Sequence, residues 1–253
     1  GGSLSADGGT SGDRHTPAPL VFALTPQSAQ EEGEALRVKD CGGESKGEAG
    51  TVMIPQRHDS SRIGLLGGSF NPAHDGHREI SLAAIKHLRL DAVWWLVTPG
   101  NPLKGGDYDY APYEERLAAA RRTSSHPRIV VSNFEDRKGL QYTVDTLEAL
   151  HDLWPQIHFV WLMGADSLEG FHHWKNWRRI ASLVPFAVFN RPGHETAATS
   201  SEVARELALF RTPAGRAAEI VDAYPPAWTF IETTQNPASA SEIRRNRAGR
   251  ATD

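Results

Sequence analysis

From residue 62 onward, short apolar runs alternate with stretches of helical periodicity. Arg62-Ile63-Gly64-Leu65-Leu66 is an apolar run of the kind that forms a strand buried on both faces. Behind it, Ile80, Ala83, Ala84, His87 and Leu88 fall at helical spacing within Arg78 to Leu90. Ala92 to Val97 is a second buried strand, and Pro112 opens a helix running to Arg122. Arg128 to Val131 gives a third strand, and Tyr142 to Leu147 begins a helix with Thr143 as its N-cap. Ile157 to Met163 and Phe186 to Phe189 are the fourth and fifth strands. His194 to Tyr224 reads as two polar, peripheral helices, and the strand Trp228 to Ile231 precedes a last helix at Ser241 to Ala248. This alternation predicts an α/β fold: a doubly wound parallel sheet with helices on both faces and right-handed crossovers. Ligands of such sheets bind beyond the carboxyl ends of the strands.

Residues 1–58 lack the alternation. They are rich in Gly, Ser, Ala and acidic residues, and Leu20 to Leu24 is their only apolar cluster. Such a segment buries too little surface to offset its ordering entropy, so it is expected to be a disordered N-terminal extension to a domain spanning 59–253. A regulatory or docking arm is the second reading. The opening Gly-Gly suggests a tag scar or processed start, without a secretory apolar region, and the end at Asp253 leaves no further closing helix expected.

Composition narrows the function classes. The net charge of −4 gives no reason to expect nucleic acid or an anionic membrane as partner. Cys41 is the single cysteine, which excludes an intrachain disulfide and suits a reducing, cytoplasmic compartment. No apolar run reaches the roughly 18 residues of a membrane helix. The sequence sets no oligomeric state and leaves a homo-oligomer open.

The chemistry concentrates in Gly67-Gly68-Ser69-Phe70-Asn71-Pro72-Ala73-His74-Asp75-Gly76-His77, a turn from the first strand into a helix. Glycines there let a ligand approach the backbone, and Asn71-Pro72 sets a tight bend. Asp75 and Gly76 open a helix whose free N–H groups and positive dipole end favour an anion. His74 and His77 add imidazole donors to the same place. A single histidine near a helix start is more often a cap or surface residue; the whole pattern is far more specific. It resembles the nucleotidylyltransferase superfamily, whose signature is (His/Thr)-x-Gly-His, and within it the nicotinate-nucleotide adenylyltransferases.

That resemblance, covering about Arg62 to Arg250, implies a Rossmann-like fold that joins ATP and nicotinate mononucleotide into nicotinate adenine dinucleotide. Gly68, Ser69, Phe70, His74 and His77 would lie along ATP. Lys104, in a proline-flanked loop, would contact the mononucleotide phosphate. Tyr142 and Thr143 would line the pyridine pocket, where donors match an acid better than an amide. Asp166, after the fourth strand, would accept from ribose hydroxyls, although a helix N-cap suits the same residue. Trp174 would stack on the ring while Trp177 packs in the core, and Arg191 would help hold the substrate side. Ser239, Ser241 and Arg244 match the family's Ile-Ser-Ser-Thr-x-Ile-Arg motif for the β- and γ-phosphates, whereas Ala238 and Ala240 depart from it and remove one hydroxyl donor. His172 and His173 make a poor chelating pair, since adjacent helical residues point about 100° apart, so no protein metal site is expected.

The implied mechanism needs no protein nucleophile. The mononucleotide phosphate attacks the α-phosphorus in line, His77 first and His74 second stabilise the growing charge, and Mg²⁺ arrives with ATP. Alternatives left open are a relative acting on pantetheine phosphate, nicotinamide mononucleotide or a cytidylyl donor, and a nucleotide-binding module without turnover.

Overall fold

The computed structural model of the chain describes residues 61–100, 111–190 and 194–232, together with the backbone of 20–23 and 51–54. Among the described residues the strands are β1 (Leu20–Ala23), β2 (Thr51–Ile54), β3 (Arg62–Gly68), β4 (Ala92–Val97), β5 (Ile129–Ser132), β6 (His158–Gly164), β7 (Phe186–Phe189), β8 (Arg211–Thr212) and β9 (Trp228–Ile231). β3 to β9 form one parallel sheet in the order β5-β4-β3-β6-β7-β9-β8. The chain steps outward from β3 to β5, then returns to place β6 on the other side of β3. A crevice therefore opens where β3 and β6 end, at the point where the strand order reverses.

Each interior strand is apolar on both faces because helices cover both. Ile63, Leu65, Trp94, Leu96, Phe159, Trp161 and Met163 pack with α4 (Thr143–Leu153), α5 (Ala165–Glu169) and α6 (Trp177–Leu183). On the opposite face, Leu66, Val93, Trp95, Val97, Val160 and Leu162 meet α1 (Asp75–His87), α2 (Tyr113–Ser124) and a 3-10 stretch, Ala214–Asp222. Each such side chain contributes about 1.5–3 kcal/mol through burial. Among the described residues no helix is long and apolar enough to cross a membrane.

Several local expectations change. α1 stops at His87 rather than Leu90, because Arg89 turns left-handed at φ 53°, while Leu88 and Leu90 stay buried. Tyr142, in extended conformation, is the cap residue of α4 and Thr143 its first helical residue, so Thr143 is not the N-cap. Asp166 likewise is not a cap, since Gly164 takes that place before α5. A short helix α3 (Phe134–Lys138) follows β5 where none was expected. The segment 194–224 is not peripheral: besides α7 (Glu195–Thr199) and α8 (Glu202–Glu206) it supplies strand β8, and Ala198, Val203, Ala204 and Ile220 are buried. Within the leading 58 residues, β1 and β2 pair antiparallel, a local order that the expectation of disorder did not include; both runs, Leu-Val-Phe-Ala and Thr-Val-Met-Ile, carry strand-favouring residues. The helix expected at Ser241 to Ala248 lies outside the described residues.

Candidate active site

The β3–α1 turn is shaped by packing as much as by ligand access. A Cβ on Gly67 would collide with the Trp161 ring, so this glycine serves the core and not a ligand; a Cβ on Gly68 would meet only Phe70, at 3.7 Å. Phe70 sits at φ 46°, a left-handed conformation that costs a bulky residue about 1–3 kcal/mol. Its ring is buried against His77 (centroids 4.7 Å) and Trp95 (5.0 Å), which holds it there. Ser69 is half-buried beside it.

His74 and His77 come together at the start of α1, with ring centroids 3.9 Å apart. The backbone N–H of His74 donates to Nδ1 of His77 at 3.3 Å. That nitrogen is then an acceptor, so the neutral ring carries its proton on Nε2 and offers it as a donor. The turn is anchored from below: Trp95 Nε1 donates to Ser81 Oγ (2.7 Å), which donates to the His77 carbonyl (2.8 Å).

Two buried charges, neither singled out from the sequence, join the loops around this turn. Arg116, 2% exposed on α2, donates to the carbonyls of Ser69 (2.6 Å), Thr98 (2.8 Å), Pro99 (2.9 Å) and Ala111 (3.0 Å). Glu135, 6% exposed on α3, accepts from Thr146 Oγ1 at 2.9 Å and neighbours the Thr98 hydroxyl, which donates to the Gly100 carbonyl at 2.7 Å. Burial raises the Glu135 pKa to about 7 against the lowering effect of those two hydroxyls. Nothing local marked either residue, because Arg116 follows Glu114-Glu115 and Glu135 precedes Asp136, as on ordinary solvated faces.

Across the crevice, Tyr142 and Thr143 are half-buried at the start of α4. Lys175 Nζ lies 4.0 Å from the Tyr142 ring centroid and 3.2 Å from Asp145 Oδ2, a further pair missed from sequence. Trp174 is half-buried and edge-on to Phe171 (5.1 Å) and Trp161 (6.1 Å), while Trp177 is 5% exposed in the core. Asp166 is exposed in the first turn of α5, just past the end of β6. The rings of His172 and His173 converge to 3.7 Å despite diverging Cα–Cβ directions, since χ1 can turn one imidazole toward the other. Even so, no group of three or more His, Cys, Asp or Glu able to hold a metal gathers among the described residues. Lys104, Arg191, Ser239, Ser241 and Arg244 lie outside the described residues.

A parallel sheet with an imidazole pair at the helix opening beyond an interior strand, β3, has the shape expected of a nucleotidyl-transferring class. The cytidylyltransferase-like family model matches residues 65–246. A Ruegeria protein named probable nicotinate-nucleotide adenylyltransferase is 48% identical over 186 residues, covering 74% of this chain and 97% of its own. A Methylorubrum extorquens protein of the same name is also 48% identical, over 72% of this chain and 98% of its own. The chain belongs to the nicotinate-nucleotide adenylyltransferase family. A solved Plasmodium falciparum nicotinic acid mononucleotide adenylyltransferase, complexed with NaAD, shares the fold at TM-score 0.56 and 15% identity, covering 73% of this chain and 83% of its own.

Proposed function

We infer that the chain transfers the adenylyl group of ATP to nicotinate mononucleotide, giving nicotinate adenine dinucleotide and pyrophosphate in NAD biosynthesis. The observation that carries this assignment is the His74–His77 pair, 3.9 Å apart where α1 opens beyond β3, in a chain 48% identical to proteins of that name. An oxygen of the mononucleotide phosphate bonds to the α-phosphorus as the α–β bridging P–O bond breaks on the opposite side, and the pyrophosphate takes that electron pair. Negative charge grows on the α-phosphoryl oxygens and the bridge. His77 Nε2–H is the first donor to it and His74 the second; no proton need move, and fixed donors do the stabilising.

The remaining residues hold the two substrates. Gly68, Ser69 and Phe70 lie along the ATP phosphates, and Asp166 accepts from ribose hydroxyls. Ser239, Ser241 and Arg244 hold the leaving pyrophosphate, and Lys104 the mononucleotide phosphate. Tyr142, Thr143 and Trp174 take the pyridine ring, and Arg191 helps to hold the substrate. The donors at the β3–α1 turn are N–H groups, which suit an oxyanion rather than a cation. Mg²⁺ would therefore come with ATP rather than rest on these residues, and would supply charge neutralisation for the leaving group.

The test is pyrophosphate release from ATP with nicotinate mononucleotide, nicotinamide mononucleotide or pantetheine phosphate as acceptor. The highest kcat/KM is expected with nicotinate mononucleotide. A higher value with either other acceptor would replace the substrate assignment, and no release with any of them would leave a binding module.

A further inference from the structure

We propose that Arg116 is the positioning residue that registers the two substrate sides of the crevice on one another, an inference that rests on the adenylyl-transfer assignment above. A guanidinium 2% exposed is costly to bury unless its donors are met. Arg116 meets them with main-chain carbonyls from three separate places. Ser69 belongs to the β3–α1 turn proposed to carry ATP. Thr98 and Pro99 continue β4 past the end of the sheet, and Ala111 leads into α2. One planar fork thus fixes the nucleotide turn to both ends of the neighbouring connection.

The same fork reaches the pyridine side through described residues. Thr98, whose hydroxyl donates to the Gly100 carbonyl (2.7 Å), neighbours Glu135; Glu135 accepts from Thr146 Oγ1 (2.9 Å), which lies 3.3 Å from the Tyr142 carbonyl. Secondary ties run alongside: Thr98 N to Gly68 O (3.0 Å), Ala111 N to Asn71 Oδ1 (3.3 Å), and Tyr113 Oη to Val97 O (3.3 Å). The Tyr113 ring lies 5.3 Å from the guanidinium carbon and supports it. In-line transfer depends on the attacking oxygen meeting the α-phosphorus within a few tenths of an ångström, so a device that joins the two sides acts on turnover rather than on either binding step.

Lysine cannot replace the fork. It brings three donors on one rotating nitrogen, where arginine has five in a fixed plane. Steady-state kinetics of Arg116→Lys with ATP and nicotinate mononucleotide, paired with thermal melting, test this directly. The expected result is a kcat lowered roughly a hundredfold, with each KM within about threefold of the wild-type value. An unaltered kcat, or a raised KM at constant kcat, would overturn the positioning role. Should the lysine variant not fold, Tyr113→Leu carries the test, with kcat expected to fall roughly tenfold at unchanged KM as the guanidinium loses its support. Full turnover in that variant would overturn the role equally. Wild-type protein without turnover sinks the adenylyl-transfer assignment and this inference with it; active wild type beside a fully active lysine variant sinks the inference alone.

Discussion

The two sides of the crevice are built by different means. On the proposed phosphate side the described groups are cross-tied around a buried base: Phe70, His74 and Arg116 are 1%, 7% and 2% exposed, while Gly68, Ser69 and His77 are half-buried above them. On the pyridine side, half-buried rings do the work, held by edge contacts and by a Lys175–Asp145 pair whose side chains are 44% and 39% exposed. Charge that develops during transfer is best met by donors fixed beforehand, because any reorganisation adds to the barrier. A flat ring asks for area and tolerates some play. The side proposed for the phosphates is thus the more cross-tied, and the side proposed for the pyridine ring the more open to water.

The largest effect that sharpens this contrast lies at His77. His77→Ala removes the Nε2 donor and should lower kcat by roughly 10²–10³, the range for a lost charge-stabilising donor, with the fold intact by circular dichroism. Near-full turnover in that variant would place the stabilising charge elsewhere on the phosphate side.

Glu135 joins the two sides, and pH reads its state. Its folded pKa of about 7 stands above the ordinary carboxyl value of 4.5 because burial penalises the anion. Between those values the folded chain binds more protons than the unfolded one, so stability is lost as pH rises through the window. The penalty is complete above about pH 7 and amounts to roughly 3 kcal/mol. Glu135→Gln does not titrate, so its melting temperature relative to wild type should climb by several degrees between pH 5 and pH 8. Parallel melting curves across that range would mean that Glu135 is already ionised at low pH.

The contrast also divides what the chain discloses of itself. The β3–α1 turn and the run Ala92–Val97 are legible because each depends on neighbours within a few residues, whereas the core place of Trp177 follows from the family resemblance and not from its neighbours. Arg116 and Glu135 are not. Their polar partners, Ser69, Thr98 and Thr146, are brought near only by folding, while Glu115 and Asp136 beside them are charged and exposed. β8 escapes for a related reason: two residues, Arg211 and Thr212, carry no periodicity, and the strand exists because β9 offers it a free edge. The start of α4 shows a subtler limit, since a hydroxyl at Thr143 satisfies the capping preference while Tyr142 takes the extended conformation that a cap needs.

On the pyridine side the effects should be smaller and fall on affinity. Trp174→Ala would remove the proposed stacking face, worth about 1–3 kcal/mol, so KM for nicotinate mononucleotide should rise roughly tenfold or more while kcat holds. A fall in kcat instead would show that Trp174 belongs with the cross-tied half of the site.

The smallest effect belongs to Lys175, and it tests whether the pyridine side is as soft as its exposure implies. The ammonium sits over the Tyr142 ring at 4.0 Å and pairs with Asp145 at 3.2 Å, both in contact with water. Exposed cation–π and ion-pair contacts are worth about 0.5–1 kcal/mol each and weaken with salt. Lys175→Met keeps the stem and removes the charge, so KM for the mononucleotide should rise no more than about threefold, and the difference should shrink at high ionic strength. A larger rise that persists in salt would mean that the ammonium is desolvated when the substrate's carboxylate binds; the pyridine side would then select its acid by a fixed charge, as the phosphate side does, and the contrast between the two halves would narrow to burial alone.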